Sequence, residues 1–335
     1  MIEHLVGMQA QNHLDPYYAL GARLDTFQPA ELSDLIERHE ALRIPLLRST
    51  IHLVTARDCL ALRPILGSVL ARTFGSTSFA KDIEGVDRDA LLRLARALIE
   101  ERPRTRAELG PLLAANWPGR VPGSLAQAAT YLMPVVQVTP RGLWGKKGPA
   151  AWTTVESWLG LPLPPETLPD DLVLRYLRAF GPAAQKDIRV WSGLAGLAEV
   201  VKRLRPRLLT FQDEKGTELF DLPDAPRPDA ETPASPRFLP EYDNLLLSHS
   251  DRSRFFDGDL VPKGWVGNLL VDGMFVGGWK IRRSKNGAVL EIEPGRKLRR
   301  PDLEEVTAEG YRLLEFTDPS IPQHDVHVAY QNDTT

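Results

Sequence analysis

The sequence predicts an α+β protein, and two observations along its 335 residues lead to this class. A pattern of helices followed by a two-stranded hairpin occurs twice in the middle of the chain and once more, incompletely, at the N-terminus. Beyond a proline-rich stretch at 223–237, the last third is typical of an antiparallel sheet with one helix. We therefore expect three tandem winged-helix units, a form of the helix-turn-helix fold, and a C-terminal antiparallel-sheet module.

The N-terminal unit is the incomplete copy. Its sequence predicts helices over 16–24 and 29–39 and strands over 44–47 and 50–54. Residues 2–11 are typical of the end of a helix, so we expect the natural N-terminus to extend upstream of Met1. The expected boundaries are 1–66 for this unit, 67–160 for the second, 161–222 for the third, 223–237 for a linker and 238–335 for the C-terminal α+β module.

The second unit has the clearest local pattern. Apolar residues at helical spacing predict a helix over 89–101, and Thr105 with Glu108 forms a capping-box pattern that starts another. A third helix is expected over 122–132, followed by strands over 135–139 and 150–155. Lys146 and Lys147 would then lie at the tip of a hairpin, of the kind that a winged helix places along a DNA backbone.

The helices and strands of the third unit and of the C-terminal module are predicted from the same kinds of pattern. Helices are expected over 172–180, 182–191 and 197–204, and a hairpin of strands over 208–211 and 218–222. In the module, strands are expected over 267–271, 274–282 and 289–293, and a helix over 302–314.

Composition excludes several classes of protein. With 43% hydrophobic and 25% charged residues, and no apolar run near the ~20 residues of a membrane span, the chain is typical of a soluble globular protein. No secretory signal is evident, and the single Cys59 excludes an internal disulfide and a cysteine-rich zinc site. Cytoplasmic localisation is therefore expected.

Charge is distributed unevenly around a net value of −3. Residues 260–300 hold nine Lys/Arg against three Asp/Glu, a balance of +6, whereas residues 301–335 hold one against eight, a balance of −7. The basic segment either faces nucleic-acid phosphates or forms a solvated surface.

Conventional catalytic motifs are absent: there is no Walker loop, no GxGxxG after a strand, no HExxH and no GxSxG. Cys59 lies in an apolar helical stretch and is expected to be a buried thiol. His324, Asp325 and His327 form a cluster that resembles a metal site, but metal sites usually need further converging ligands. We therefore expect no metal and no organic cofactor.

Two polar stretches stand out near the N-terminus. In the first, Gln9 and Gln11 reach a common point only where a helix ends or bends, and their alternative role is that of ordinary solvated helix side chains. In the second, Arg48, Thr50 and His52 alternate on one face of a strand, which indicates either DNA contact or a half-exposed strand with a hydrogen-bonded histidine.

A third polar stretch covers residues 239–254, and its candidate DNA-binding residues are Tyr242, Asp243, Asn244, His249, Arg252 and Arg254. The alternative is a polar network that holds the C-terminal module against the winged helices. Arg252 and Arg254 are the best candidates for phosphate, because guanidinium groups bind it in fork geometry. Further candidates at hairpin tips or edges, which are otherwise solvated loop residues, are Lys146, Lys147, Arg282, Arg283 and Lys285.

The segments VGMQAQ, LLRSTIHLV and RFLPEYDNLLLSHSDRSR, in this order and spacing, resemble the tandem winged-helix DNA glycosylases, which include bacterial azinomycin-resistance and interstrand-crosslink-repair enzymes. The resemblance covers nearly the whole chain; the ordered trio is specific, whereas Gln-x-Gln alone is weak. It implies that Gln9 and Gln11 are a catalytic pair at the centre of a concave DNA channel. Crosslink-repair relatives carry Asp at the second position, so Gln11 resembles the resistance-type branch.

The function that this resemblance implies is monofunctional hydrolysis of the N-glycosidic bond of bulky N7-alkylated purines in duplex DNA. The product is an abasic site, the context is DNA repair or self-resistance to a genotoxin, and no obligate protein partner is expected. Two alternatives stay open on the sequence: a non-catalytic winged-helix regulator that reads bases in the major groove, and a lesion sensor that binds adducts without cutting them.

Overall fold

The computed structural model describes residues 1–258 and 267–330 and confirms the mixed α+β class. The strands are β1 (Met8–Gln9), β2 (Ala41–Pro45), β3 (Ile51–Thr55), β4 (Arg104–Thr105), β5 (Val135–Gln137), β6 (Ala151–Thr154), β7 (Leu209–Gln212), β8 (Glu218–Asp221), β9 (Arg237–Pro240), β10 (Gly267–Val271), β11 (Met274–Arg283), β12 (Gly287–Pro294) and β13 (Gln323–Val328). The helices are α1 (Asp15–Gly21), α2 (Pro29–Glu37), α3 (Ala56–Gly75), α4 (Ser78–Asp82), α5 (Arg88–Glu101), α6 (Arg106–Ala114), α7 (Pro122–Leu132), α8 (Val155–Leu159), α9 (Asp170–Phe180), α10 (Gln185–Ser192), α11 (Leu197–Leu204) and α12 (Arg300–Thr317).

The chain divides into two compact units. The first contains Met1–Leu14 and Pro29–Ala225, and the second contains Asp15–Gln28 and the described residues from Pro226 onward. Helix α1 belongs to the second unit because its Tyr18 packs edge-on against Trp279 of β11, with ring centroids 5.5 Å apart. Residues 15–28 therefore leave the segment 1–66 that the sequence groups together.

In the first unit, one antiparallel sheet joins strands that the sequence assigns to different units. Its order is β1-β3-β2-β5-β6-β4, and Arg43 of β2 pairs with Gln137 of β5. Helix α3 crosses the boundary expected between residues 66 and 67, because buried apolar residues continue through both of its halves, as at Leu62 and Leu70. The number of winged-helix units stays a prediction.

The local elements of residues 88–154 match the expected pattern. Helices α5, α6 and α7 precede the β5–β6 hairpin, and Thr105 and Glu108 form the capping box at the start of α6. In the next segment α11 and the β7–β8 hairpin are also confirmed. Helix α10 begins at Gln185 rather than at 182, because Ala183 pairs with Phe220 through two backbone hydrogen bonds of 3.0 and 2.8 Å.

The second unit is built on a sheet of order β13-β12-β11-β10-β9. The expected antiparallel strands β10, β11 and β12 are confirmed; β9 extends the sheet antiparallel at one edge, and β13 lies parallel to β12 at the other. One apolar cluster of this unit includes Leu239, Leu246, Leu270 and Phe275. The module 238–335 that the sequence predicts also includes residues 259–266 and 331–335, which lie outside the described part of the chain.

The structure also bears on the single cysteine, on the His/Asp cluster near the C-terminus and on membrane-spanning helices. Cys59 is fully buried, as predicted, and burial raises the pKa of its thiol to about 12. Among the described residues, no His, Cys, Asp or Glu side chains converge to hold a metal; His327 pairs with Asp325 at 2.8 Å and is exposed. Within the same residues, every helix is too short or too polar to cross a membrane.

Candidate active site

Gln9 lies on the short strand β1 and Gln11 lies at the bend that follows it, so the helix end that the sequence predicts at the two glutamines is wrong. Strand β1 pairs antiparallel with β3, with Gln9 opposite His52, and the N–H of Ala10 donates to the carbonyl of Ile51 at 2.7 Å. Gln9 is buried in this strand pair, whereas Gln11, two residues further along the chain, is exposed.

A tight turn before β1 makes this pairing possible. Gly7 has a φ of +88°, and a Cβ at this position would lie 2.7 Å from a methyl carbon of Val54. Both the left-handed backbone and the close approach to β3 favour glycine here. The sequence VGMQAQ thus places its two glutamines directly after a turn that only a small residue accommodates.

Arg48 reaches Gln9 from the turn between β2 and β3. The turn is a single 3-10 segment, Leu47–Ser49, in which Arg48 and Ser49 have φ values of 52° and 58°. Positive φ is uncommon for residues with side chains, and such conformations are found at functional sites. The conformation directs the Arg48 guanidinium to the Gln9 side-chain oxygen, which accepts from Nη2 at 3.0 Å.

The same guanidinium also contacts His52 and helix α10. Its Nη1 donates to the carbonyl of Trp191 at 3.2 Å, and its Nη2 lies 3.4 Å from His52 Nε2. The other imidazole nitrogen, Nδ1, lies 3.1 Å from the Thr50 carbonyl, which can only accept a hydrogen bond. His52 therefore carries its proton on Nδ1, and its Nε2 lone pair accepts from Arg48.

Burial sets the protonation states of this group. His52 is fully buried, and this burial, together with the charge of Arg48, lowers its pKa to about 3. Burial also lowers the pKa of Arg48 to about 10. At neutral pH the histidine is therefore neutral and the guanidinium is charged. A direct DNA contact, expected from the sequence for His52, is not available to a side chain with no exposed surface.

Gln11 is exposed and lies at the edge of a cleft of about 650 Å³ in the first unit. Its side-chain oxygen accepts from the N–H of Ile51 at 3.3 Å. A carbonyl oxygen has two acceptor positions, so this long hydrogen bond leaves room for a second donor such as water. We call this space the Gln11 cleft; it is lined by Gln11, Pro45, Ser49, Ile51, Thr105, Arg106, Ala107, Gln127, Thr130, Tyr131, Gln137, Arg141, Pro149, Ala150 and Trp152.

Several residues of this site were not predicted from the sequence. Arg43 is buried; its Nη2 donates to the carbonyl of Ala10 at 3.0 Å and to Gln137 at 3.1 Å, and so holds the backbone between the two glutamines. Arg106 lies over the ring of Trp152, 5.2 Å from its centroid. These side chains come from separate elements, and their sequences carry no local pattern that marks them.

The other candidates of the first unit, Lys146 and Lys147, are exposed in the loop between β5 and β6. This is the position that the sequence predicts for a hairpin tip.

In the second unit, three of the predicted DNA-binding residues are buried: Asp243, Asn244 and His249. Asp243 accepts a fork of two hydrogen bonds from Arg23, at 2.6 and 2.9 Å, and Arg254 lies 3.2 Å from His249 Nε2. The buried members therefore fix the loop 241–254 within its own unit. The exposed candidates there are Tyr242, Arg252, Arg254, Arg282, Arg283 and Lys285.

Two of these exposed arginines are held by carboxylates: Arg282 by Glu291 at 2.6 Å and Arg283 by Asp318 at 2.6 Å.

Comparisons with known proteins agree with this fold and place the chain in a family. Residues 2–316 match the family described as "DNA glycosylase AlkZ-like". The solved structure of Streptomyces sahachiroi DNA glycosylase AlkZ is similar, with a TM-score of 0.72 and 18% sequence identity over 98% of this chain and 92% of that chain. No curated protein sequence is significantly similar. Because the family match spans nearly the whole chain, the chain belongs to the AlkZ-like DNA glycosylase family and is an enzyme rather than a non-catalytic DNA-binding protein.

Proposed function

We propose that this DNA glycosylase hydrolyses the N-glycosidic bond of bulky N7-alkylated purines in duplex DNA and leaves an abasic site. The observation that carries the proposal is the pair Gln9 and Gln11 at the end of β1, with Gln9 held by Arg48 and Gln11 exposed at a cleft of about 650 Å³. The biological context would be DNA repair or self-resistance to a genotoxin.

The contacts of the two amides suggest a different role for each. The Gln9 oxygen already accepts from a charged guanidinium, which draws electron density from it and makes it a poorer acceptor for water. The Gln11 oxygen accepts only a long hydrogen bond from a backbone N–H. We assign Gln11 the role of accepting from the attacking water and directing it at C1′, and Gln9 the role of orienting that water or the sugar.

Neutral amides suffice for this reaction because the substrate supplies the driving force. Alkylation at N7 gives the purine a positive charge, so the base leaves without prior protonation and the transition state resembles an oxocarbenium ion. Positioned dipoles then stabilise the transition state without a strong base. An unmodified purine would still need a proton, and His52, neutral and buried, does not supply one. Selectivity thus arises from the reactivity of the lesion.

Duplex DNA would be bound through the winged-helix units and the exposed basic side chains. Lys146 and Lys147 belong to a hairpin loop beside the first unit's sheet, and Arg252, Arg254 and Lys285 belong to exposed segments of the second unit. Such side chains contact phosphates and do not read sequence. We therefore propose salt-sensitive binding that tolerates any sequence.

The double variant K146S/K147S is expected to bind duplex DNA more weakly and with a shallower salt dependence. Each lost phosphate contact reduces the slope of log K against log salt by about 0.9. Fluorescence anisotropy at several salt concentrations measures the slope. K81S, which changes an exposed lysine on α4, serves as the control. An unchanged slope in the double variant would remove the β5–β6 loop from the DNA-binding surface.

The proposed activity is tested in single-turnover reactions on a duplex that carries one N7-alkylguanine. We expect release of the free alkylated base and a strand break only after alkali, as an abasic product requires. Reduction with borohydride should trap no enzyme–DNA adduct, because a monofunctional enzyme forms no Schiff base. A trapped adduct would exclude the monofunctional mechanism, and binding without base release would indicate a lesion sensor.

A further inference from the structure

We propose that Gln137 is a further catalytic residue of this glycosylase, and that its side-chain amide donates a hydrogen bond to the same water that donates one to Gln11. This inference rests on the proposed function, since it adds a second partner for the attacking water. Three observations support it: the position of Gln137 beside Gln11, the orientation that Arg43 imposes on its amide, and the state of the amide nitrogen.

The position follows from the sheet of the first unit. Gln137 and Gln11 line the same cleft. On neighbouring strands Gln137 lies directly opposite Arg43, so the two side chains stand on the same side of the sheet. Arg43 Nη2 donates to the carbonyl of Ala10 at 3.0 Å and to the Gln137 side-chain oxygen at 3.1 Å. One nitrogen therefore joins the Gln137 amide to the peptide group that leads into Gln11.

Arg43 also determines which way the Gln137 amide is turned. A guanidinium only donates hydrogen bonds, and both Nε and Nη2 of Arg43 face the Gln137 oxygen, at 3.3 and 3.1 Å. The NH₂ group, on the other arm of the amide, is thus turned away from Arg43. Arg43 is itself buried and tightly packed: a Cβ at Gly142 would lie 2.6 Å from its Cδ. The donor therefore has a fixed direction.

The amide nitrogen of Gln137 is left for a partner outside the protein. Within residues 1–258 and 267–330, the hydrogen bonds of this side chain are the two that its oxygen accepts from Arg43. The nitrogen is not among the fully buried polar atoms that lack a partner. Gln137 is 8% exposed, and it borders the cleft. Because largely buried donors are normally hydrogen-bonded, we infer that water in the cleft accepts from this nitrogen.

Two amides of opposite polarity can hold a nucleophilic water in one orientation. The Gln11 oxygen accepts one O–H of the water, and the Gln137 NH₂ group donates to one of its two lone pairs. The second lone pair is then directed at C1′. As the C1′–N bond breaks, its electron pair passes to the cationic purine, which becomes neutral. The water oxygen bonds to C1′ and its surplus proton passes to the solvent.

Two substitutions at Gln137 separate the N–H donor from the packing of the sheet. Q137M removes the whole amide and keeps the length of the side chain. Q137E keeps an oxygen for Arg43, whose charge neutralises the new carboxylate, but replaces the NH₂ group with an acceptor. The control is Q323M, the same change at an exposed glutamine of β13 in the second unit. Single-turnover base release from an N7-alkylguanine duplex, DNA binding by fluorescence anisotropy and thermal unfolding are measured for each variant.

A second measurement asks how strictly the site selects water. In dilute methanol, capture of the sugar by methanol gives a 1′-O-methyl product that alkali does not cleave. The ratio of alkali-sensitive breaks to released base therefore reports the fraction of turnovers that use water. Loss of stability alone would not change this ratio, whereas loss of a group that holds the water would.

We expect the wild type to give one break for each base released. Q137M and Q137E should release base about 10²-fold more slowly, the scale on which a small misplacement of a reacting group lowers a rate. Both should bind DNA as the wild type does and capture more methanol, and Q323M should match the wild type throughout. If Q137M does not fold, Q137E decides.

A wild-type rate in either folded Gln137 variant, or slow release with the wild-type use of water, would overturn this inference alone. The proposed function would stand in that case, because the wild type would still release the base. No release of any base by the wild type would overturn the proposed function and this inference with it.

Discussion

The substitution Gln11→Ala is expected to lower the rate of base release from N7-alkylated duplex DNA by about 10²–10³-fold, the cost of removing one positioned dipole from a polar active site. Gln11 is exposed and accepts one long hydrogen bond from Ile51, so its removal deletes the acceptor for water and little of the packing. Single-turnover base release measures the rate, and fluorescence anisotropy on the same duplex should show DNA binding within about twofold of wild type.

The matched control is Gln185→Ala, which makes the same change at an exposed glutamine in the first turn of α10. We expect this variant to release the base at the wild-type rate. Gln9→Ala should also slow release, because Gln9 orients the water or the sugar. If base release survives in both Gln9→Ala and Gln11→Ala, the assigned site is wrong and the water must be held by other groups.

The elements that could be predicted from the sequence are those with local signals. The capping box of Thr105 and Glu108 marks the start of α6, and apolar residues at helical spacing mark α5 and α11 within one or two residues. The local pattern of residues 2–11 predicts the end of a helix, and at Gln9 it is wrong. Their conformation depends on pairing with β3, more than forty positions away in the chain, and no local pattern reports that pairing.

The candidate site also has features that the sequence predicts and features that only the folded chain shows. The sequence motifs identify Gln9, Gln11, Arg48 and His52 as a group. In the structure Arg48 contacts Gln9 and His52, and Gln11 accepts from the neighbouring Ile51. Their individual roles follow from distances that the motif does not contain. Alternation along a strand leaves DNA contact and a hydrogen-bonded histidine as alternatives for this face. In the structure the Arg48 guanidinium contacts Gln9, and His52 is buried and hydrogen-bonded. The Gln11 cleft gathers residues from several elements, and only the folded chain reveals it.

A second large loss in the rate of base release is expected on substitution of Arg48, which we regard as a positioning residue for Gln9. Arg48→Met removes the donor that fixes the Gln9 oxygen and leaves a side chain of similar length. Misplacement of an orienting group by about 1 Å costs about 10²-fold in rate, so we expect a loss of that size in kcat. KM should change less, because Gln11 and the cleft are intact. Arg48→Lys should restore only part of the rate, because an ammonium group lacks the planar fork that reaches Gln9 and Trp191 together.

The control for packing is Arg72→Met, because Arg72 also donates to a backbone carbonyl, that of Gly193, but from an exposed position. Its thermal unfolding and base release should both stay near those of the wild type.

A pH profile separates positioning by Arg48 from proton transfer by His52. The pKa of His52, about 3, lies below its ordinary value mainly because of burial, which Arg48→Met leaves in place. Release should therefore be flat between pH 6 and 8 in both wild type and variant, with the variant uniformly slower. The same lowered pKa means that the unfolded chain takes up a proton that the folded chain does not, so stability should fall as pH drops from about 6.5 toward 3. An inflection in the rate near pH 6.5, abolished by Arg48→Met, would instead make His52 a proton donor and contradict the assigned roles.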